Sequence, residues 1–492
     1  MGAVAQVPTQ WSGGFGAACE TAVAAVRASR TNSLGKIVGR EYVVTESVNL
    51  GRKVSAAPYY AGFAVSRAPG LGEPGRLSRI VSMGLHTRIR SIEACNGPKT
   101  GPAYKLQAFN DWGIMTMRFA RFMVLSMMTM TTLGVQGAVA AVSVAKAGFG
   151  KLSDGRAADV YTLKNAELEV SVTTYGARIV SLKTKDRIGA VADVVLGYNS
   201  VEGYVAEGTA KTYFGAIVGR YGNRIRGGKF TIDGHSYQVP QNNNGNALHG
   251  GPHGFDDQLW TGKEIPDGVE MSLVSKDGDM GFPGTLTVHV RYTLVGAAVH
   301  INYSATTDKP TVTNITNHSY FNLSGEGSGT ILNEVLEINA DGYTPVDAGL
   351  IPVGGVQTVA GTPFDFRKPT VIGLRINEPN EQLKIAGGYD HNWVLKGADG
   401  TMKLAAKVYD PKSGRVLTVT TTQPGVQFYS GNFLDGSYKD HSGVAYSKNT
   451  GLCLETQHYP DSPNQPAFPS TLLKPGETMH SETVFAFSTQ KK

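Results

Sequence analysis

Cysteine is nearly missing from this chain: three residues, Cys19, Cys95 and Cys453, occur in 492. Only Cys453 lies beyond residue 116. That excludes a disulfide framework, a C-x-x-C pair or a cysteine-based zinc site from the larger part of the sequence. Charge is also sparse, at 17% Asp, Glu, Lys and Arg, and its surplus is local. Residues 1–116 hold 13 Lys and Arg against 6 Asp and Glu, whereas residues 142–492 hold 31 against 34. The overall charge of +6 therefore gives the C-terminal part no basic face for nucleic acid. There is no G-x-S-x-G elbow, no P-loop and no dinucleotide fingerprint. No solenoid-type repeat and no long helical periodicity is visible after residue 141.

What is present is glycine, 61 residues of it, and a period-two apolar pattern. Leu168, Val170 and Val172 alternate with Glu169 and Ser171. Leu286, Val288, Val290, Tyr292 and Leu294 share one face, with Thr287, His289, Arg291 and Thr293 on the other. Val299, Ile301 and Tyr303 continue the period, as do Phe485 and Phe487 near the end. Turn pairs punctuate the runs: Asp233-Gly234, Asp267-Gly268, Asp399-Gly400 and Ser413-Gly414. Short strands joined by tight turns predict an all-β antiparallel sandwich or barrel.

The N-terminal part reads differently. Residues 1–116 show neither sustained strand alternation nor an amphipathic helix, and are expected to be weakly structured or an upstream extension not made natively. Residues 117–141 have the form of a secretory signal peptide. A basic start, Met117 to Arg121, precedes the 14-residue apolar stretch Phe122–Val135 and the small-residue pattern Ala138-Val139-Ala140. The stretch is too short for a comfortable membrane span. The expected start is thus Met117, with residues 142–492 as the mature domain in the periplasm or outside the cell. A genuine upstream domain would instead leave the protein in the cytoplasm.

Five polar clusters can carry chemistry. His318 sits in TVTNITNHSYFNLSGEGSG, where Asn and Tyr neighbours can fix one imidazole tautomer. Asn223 and Arg224 stand together in FGAIVGRYGNRI, and an Arg fork can serve a carboxylate or vicinal hydroxyls. His249 precedes Gly250-Gly251, where backbone can approach closely, and His253 follows four residues later. That His spacing lies in a Gly/Pro loop without a third ligand, which argues against a metal site. Asp390 lies in GGYDHNWVL beside Tyr389, His391 and Trp393, an acid next to an aromatic platform. Glu455 ends the apolar run Leu452-Cys453-Leu454, and Gln427 and Tyr429 precede it in QPGVQFYSGNF. A lone Glu at the end of a buried strand is costly unless paired or functional, and burial would raise its pKa towards general-base use. The inventory suits acid–base chemistry on a neutral polyhydroxylated substrate.

Six segments in order, FGAIVGRYGNRI, NALHGGPHGFDDQLW, NITNHSYFNLSG, GYDHNWVL, PGVQFYSGNF and LETQHYPDSPNQPAFP, strongly resemble the aldose 1-epimerases, or galactose mutarotases. The resemblance runs from about Tyr161 to Ser488. It implies a large antiparallel β-sandwich of the galactose-mutarotase type with an open sugar cleft. It implies Glu455 as general base and His318 as general acid, with Asn223, Arg224, His249, Asp390 and Gln427 as the sugar-binding shell. It implies no metal or redox cofactor, a free aldose as the small-molecule partner, and a monomer or dimer with no nucleic-acid or stable membrane partner. The site would have to hold Glu455 near ionised and His318 near protonated, with Asp390 favouring the imidazolium. The competing readings are a glycoside hydrolase using Glu455 and Asp390, a non-catalytic sugar-binding protein, and a hexose-6-phosphate epimerase. Sequons occur at Asn302, Asn314, Asn317 and Asn322. A glycan on Asn317 would abut His318, so this site is expected to be unmodified, which fits a bacterial periplasm.

Overall fold

The computed structural model describes residues 142–208 and 210–491, with the backbone of five short strands further upstream. Upstream, Thr21–Val26, Tyr42–Ser47 and Gly62–Ala64 form an antiparallel three-stranded sheet, and Ile92–Cys95 pairs with Ala103–Leu106. The remainder of residues 1–116, and the signal-like segment 117–141, lie outside the described residues.

From residue 142 the period-two pattern becomes two large antiparallel sheets facing each other across an apolar core. The larger has nine strands, built around Leu286–Val295, Ala298–Thr307 and Met479–Thr489. Leu286, Val288, Val290, Tyr292 and Leu294 are all buried, as their shared face predicts, because successive strand side chains point to opposite sides. His289 lies on the outer face, 3.5 Å from Glu270, as a half-exposed surface histidine.

The second sheet has six strands, in spatial order Tyr320–Phe321, Leu452–Gln457, Gly425–Tyr429, Asp390–Leu395, Ala340–Thr344 and Gln357–Thr358. Leu452, Leu454, Val426, Phe428 and Trp393 turn into the core. Phe321 meets Phe485 of the larger sheet edge-on at 5.1 Å, so the two inner faces interdigitate. Each fully buried Leu, Val or Phe contributes about 1.5–3 kcal/mol of apolar transfer, which makes this interface the main source of stability.

Turn chemistry matches the pattern as well. Asp233 and Gly234 both have positive φ (49° and 80°) and close the hairpin between Lys229–Ile232 and His235–Gln238. The only α-helices among the described residues are six residues long, Val201–Ala206 and Glu381–Ala386. Ser143–Lys151 pairs with Ala157–Lys164 at the edge of a five-stranded sheet.

Candidate active site

The six-stranded sheet has one apolar face and one polar face, and the polar face is the floor of the site. Register places Asn392 opposite Gln427 and Gln427 opposite Glu455. The next rung aligns Asp390, Tyr429, Cys453 and Tyr320. Directly opposed side chains on one face lie within contact distance, so two rungs gather the polar groups of four strands. The same parity corrects one expectation. Trp393 is three residues from Asp390, hence on the other face, fully buried among Phe364, Phe366 and Phe428. Tyr389 joins that core stack, so neither ring offers a platform beside Asp390. His391 is likewise a core histidine, packed on Phe364.

His318 follows the two-residue strand Thr316–Asn317, which pairs with Ile217–Val218. Its backbone is pinned at both ends: its N–H donates to Ala216 O (2.8 Å) and its carbonyl accepts from Gly215 N–H (3.1 Å). The imidazole stacks on Tyr320 (5.2 Å, 29°) and stands edge-on to His249 (5.1 Å, 79°). Its Nε2 lies 3.7 Å from Glu455 Oε1, and its Nδ1 lies 3.5 Å from Cys453 Sγ. The surrounding asparagines are structural. Asn314, Asn317 and Asn322 are buried and spend their amides on backbone carbonyls of Gly222, Gly215 and Gly329. An amide so engaged cannot carry a glycan in the folded chain.

Asn223 and His249 close the opposite wall. The backbone N–H of Asn223 donates to His249 Nδ1 (3.1 Å), and His249 N–H donates to the Asn223 carbonyl (3.1 Å). Both residues have positive φ, 63° and 53°. Gly250 makes the close approach that its sequence suggests: a Cβ there would stand 2.0 Å from the Gly219 carbonyl oxygen. Arg224 donates from Nε to Asn243 Oδ1 (3.3 Å), and its terminal nitrogen lies 3.9 Å from Asp390. Asp390 accepts a 2.7 Å hydrogen bond from Gln427 Nε2. His253 takes no part; it is exposed and faces Asp257 at 3.1 Å. All seven residues expected from the resemblance thus gather on one polar floor and wall. Sequence reasoning noted Tyr320 beside His318 but missed Tyr213, whose ring lies 4.6 Å from His249 and 5.7 Å from His318. Tyr320 was legible as the i+2 partner of His318; Tyr213 gave no signal.

Residues 159–486 match the family model described as aldose 1-epimerase. The chain is 48% identical over 348 residues to galactose mutarotase of Bos taurus, covering 70% of this chain and 99% of that protein. It is 40% identical over 339 residues to aldose 1-epimerase of Escherichia coli (strain K12), covering 68% and 96%. The chain belongs to the aldose 1-epimerase family. Solved structures agree on the fold of this epimerase. A galactose 1-epimerase from Lactobacillus acidophilus NCFM aligns with TM-score 0.61 at 29% identity, over 71% of this chain and all of that one. An aldose epimerase homologue from C. elegans aligns with TM-score 0.59 at 28% identity, over the same shares.

Burial dominates the electrostatics of the epimerase site. Desolvation pushes the Glu455 carboxyl well above the ordinary range, Asp390 adds to the rise, and Arg224 opposes it. Desolvation takes the His318 imidazole down to about 3, with Arg178 adding to the fall. His249 falls well below its usual value for the same reason, helped by His318. Asp390 is raised by burial, against Arg224 and Gln427. Burial therefore favours a neutral acid beside a neutral imidazole, not the ion pair expected from sequence. Asp390 does not supply the imidazolium's counter-charge, because its carboxylate is turned to Gln427 and Arg224.

His249, His318 and Glu455 bring ligand-type atoms within 4.8 Å of one another. Tautomer chemistry argues against a metal there. His249 Nδ1 accepts a backbone N–H, so the neutral ring carries its proton on Nε2. That nitrogen is a donor to a ligand oxygen and has no lone pair for a cation.

Proposed function

We propose that this chain interconverts the α and β anomers of free hexoses such as galactose and glucose, with Glu455 and His318 as its acid–base pair. The observation that carries the roles is the 3.7 Å approach of His318 Nε2 to Glu455 Oε1 on a buried polar floor. Such a pair can reach the C1 hydroxyl and the adjacent ring oxygen of one pyranose. Glu455 takes the proton of the C1 hydroxyl, His318 gives a proton to the ring oxygen O5, and the C1–O5 bond breaks. The product is the open aldehyde, with a protonated Glu455 and a neutral His318. Rotation about C1–C2 and reclosure with the proton transfers reversed gives the other anomer.

The electrostatics fit this cycle. Ring opening moves the pair from carboxylate and imidazolium to acid and imidazole without changing its net charge. Burial favours the second state, so ring opening starts from the less favoured carboxylate–imidazolium form and its proton transfers run downhill to the open aldehyde. Arg224, Asp390, Gln427, Asn223 and His249 hold the remaining hydroxyls and keep the ring in register. A phosphorylated hexose is less well served: Lys211 and Arg178 beside the site are already engaged with Asp256.

Polarimetry of freshly dissolved α-D-galactose and α-D-glucose tests the reading. Acceleration above the spontaneous rate, lost in Glu455→Gln and His318→Asn, is expected. Equal rates with and without the protein would overturn it.

A further inference from the structure

Two amide side chains on the site floor have no hydrogen-bond partner within the protein. Asn392 and Gln457 are 1% and 0% exposed, and both the oxygen and the nitrogen of each amide are unpaired. Neither belongs to the seven residues assigned above. Leaving a buried amide without partners is costly, so such groups are regularly completed by enclosed water or ligand. Their placement indicates what they serve. Gln457 is two residues from Glu455 on the same strand, so both side chains rise from the same face. Gly425 is the register partner of Gln457. The Asn392 amide lies across that glycine, since a Cβ on Gly425 would stand 2.5 Å from Asn392 Oδ1 and 3.0 Å from the Tyr459 ring. Asn392 and Gln457 thus set two unpaired amides on the strands either side of Gly425, with the Tyr459 ring packed close over that glycine. Glu455 stands next to them on the same face, and Glu455 Oε2, the oxygen not facing His318, has no partner within the protein either.

We propose that Asn392 and Gln457 are positioning residues that hold Glu455 Oε2 through bridging water, fixing the carboxylate so that Oε1 stays aimed at the sugar and His318. This rests on the role given to Glu455 above. The amide N–H groups donate towards the carboxylate through that water, which favours its charged form. The other groups facing Glu455 are His318 and His249 from the neighbouring loops, Gln427 from the adjacent strand and Asp390 from the strand beyond it, Cys453 on its own strand, Tyr320 and Arg224. Among these, Arg224 alone opposes the rise of the Glu455 carboxyl, so the two amides supply a second counterweight.

The test is Gln457→Met, which keeps length and removes the amide. The Glu455 carboxyl is titrated by 13C NMR in Glu-labelled protein, its signal assigned by its loss in Glu455→Gln. In Gln457→Met it is expected to titrate higher by about half a pH unit or more, because a donor to the carboxylate is gone. The acid limb of kcat/KM is expected to move the same way, with kcat lowered and KM kept within about twofold. Gln457→Asn, with an amide one carbon shorter, is expected to give a smaller shift in the same direction. Superimposable carboxyl titrations in wild type and both variants would overturn the inference, as would a raised KM with kcat and pH profile untouched, since Gln457 would then bind sugar directly. A wild type that leaves mutarotation unaccelerated refutes the reaction, and the carboxyl titration still decides the role of the two amides.

Discussion

Replacing Glu455 by Gln keeps shape, volume and hydrogen-bonding reach but removes the carboxylate proposed to accept the C1 hydroxyl proton. One positioned base contributes about 10²–10⁴-fold. That corresponds to roughly 2.7–5.5 kcal/mol of transition-state stabilisation. The mutarotation rate of α-D-galactose should fall by that factor, with KM changed far less, because Arg224, Asp390 and Gln427 are untouched. Stability should move the other way. The folded-state pKa of Glu455 is raised by burial, so its contribution to stability is fully present below the ordinary glutamate pKa and is lost as pH rises towards the folded value. Gln does not titrate. Glu455→Gln should therefore gain stability relative to wild type at pH 8 and lose that advantage at pH 4. Polarimetric rates paired with urea unfolding at the two pH values read both quantities. A rate loss below about tenfold, or a stability difference independent of pH, would refute a buried Glu455 acting as the base.

The remaining expectations are narrower. His318→Asn should cost about 10²–10⁴-fold, and adding Glu455→Gln should cost little more, because the proposed cycle moves both protons in one event; full additivity of the rate losses would argue that they act in separate steps. The His318 imidazole is held near 3, far below its unfolded value, so its contribution to stability is present above about pH 6.5 and lost as pH falls towards 3; acid unfolding of His318→Asn should be correspondingly flatter in that window. Asp390→Asn should chiefly raise KM, since Asp390 meets Arg224 and Gln427 without touching His318; an equal fall in kcat at unchanged KM would contradict this. Gly250→Ala should destabilise by about 1–3 kcal/mol and impair activity, because its φ of +89° and the Gly219 carbonyl leave no room for a Cβ; an unchanged urea midpoint would count against the packed His249 turn. Export starting at Met117 predicts that protein from the native host begins just after Ala140, which N-terminal sequencing would read.

By itself the sequence determined the sheet pattern, the turns and the family. Alternation at Leu286–Leu294 or Leu168–Val172 is a direct image of a two-sided strand, and six ordered motifs leave little freedom in fold or chemistry. Seven site residues were legible because each sits in a motif of unusual polar composition. The tertiary structure decided which neighbours in sequence are neighbours in space. Asp390 and Trp393 share one motif, yet strand parity sends one to the polar floor and the other to the core. Tyr213 lies some 105 residues before His318 and reaches it only because the strands Ile217–Val218 and Thr316–Asn317 pair. Asn392 and Gln457 look like ordinary strand residues until register sets them around Gly425 beside Glu455. Protonation is the clearest case. Residue type alone suggests an ionised Glu455 and a charged His318, whereas full burial with few compensating charges favours the neutral forms. The energy of a charge depends on the solvent and dipoles around it, and these are fixed only when strands distant in sequence close over the site.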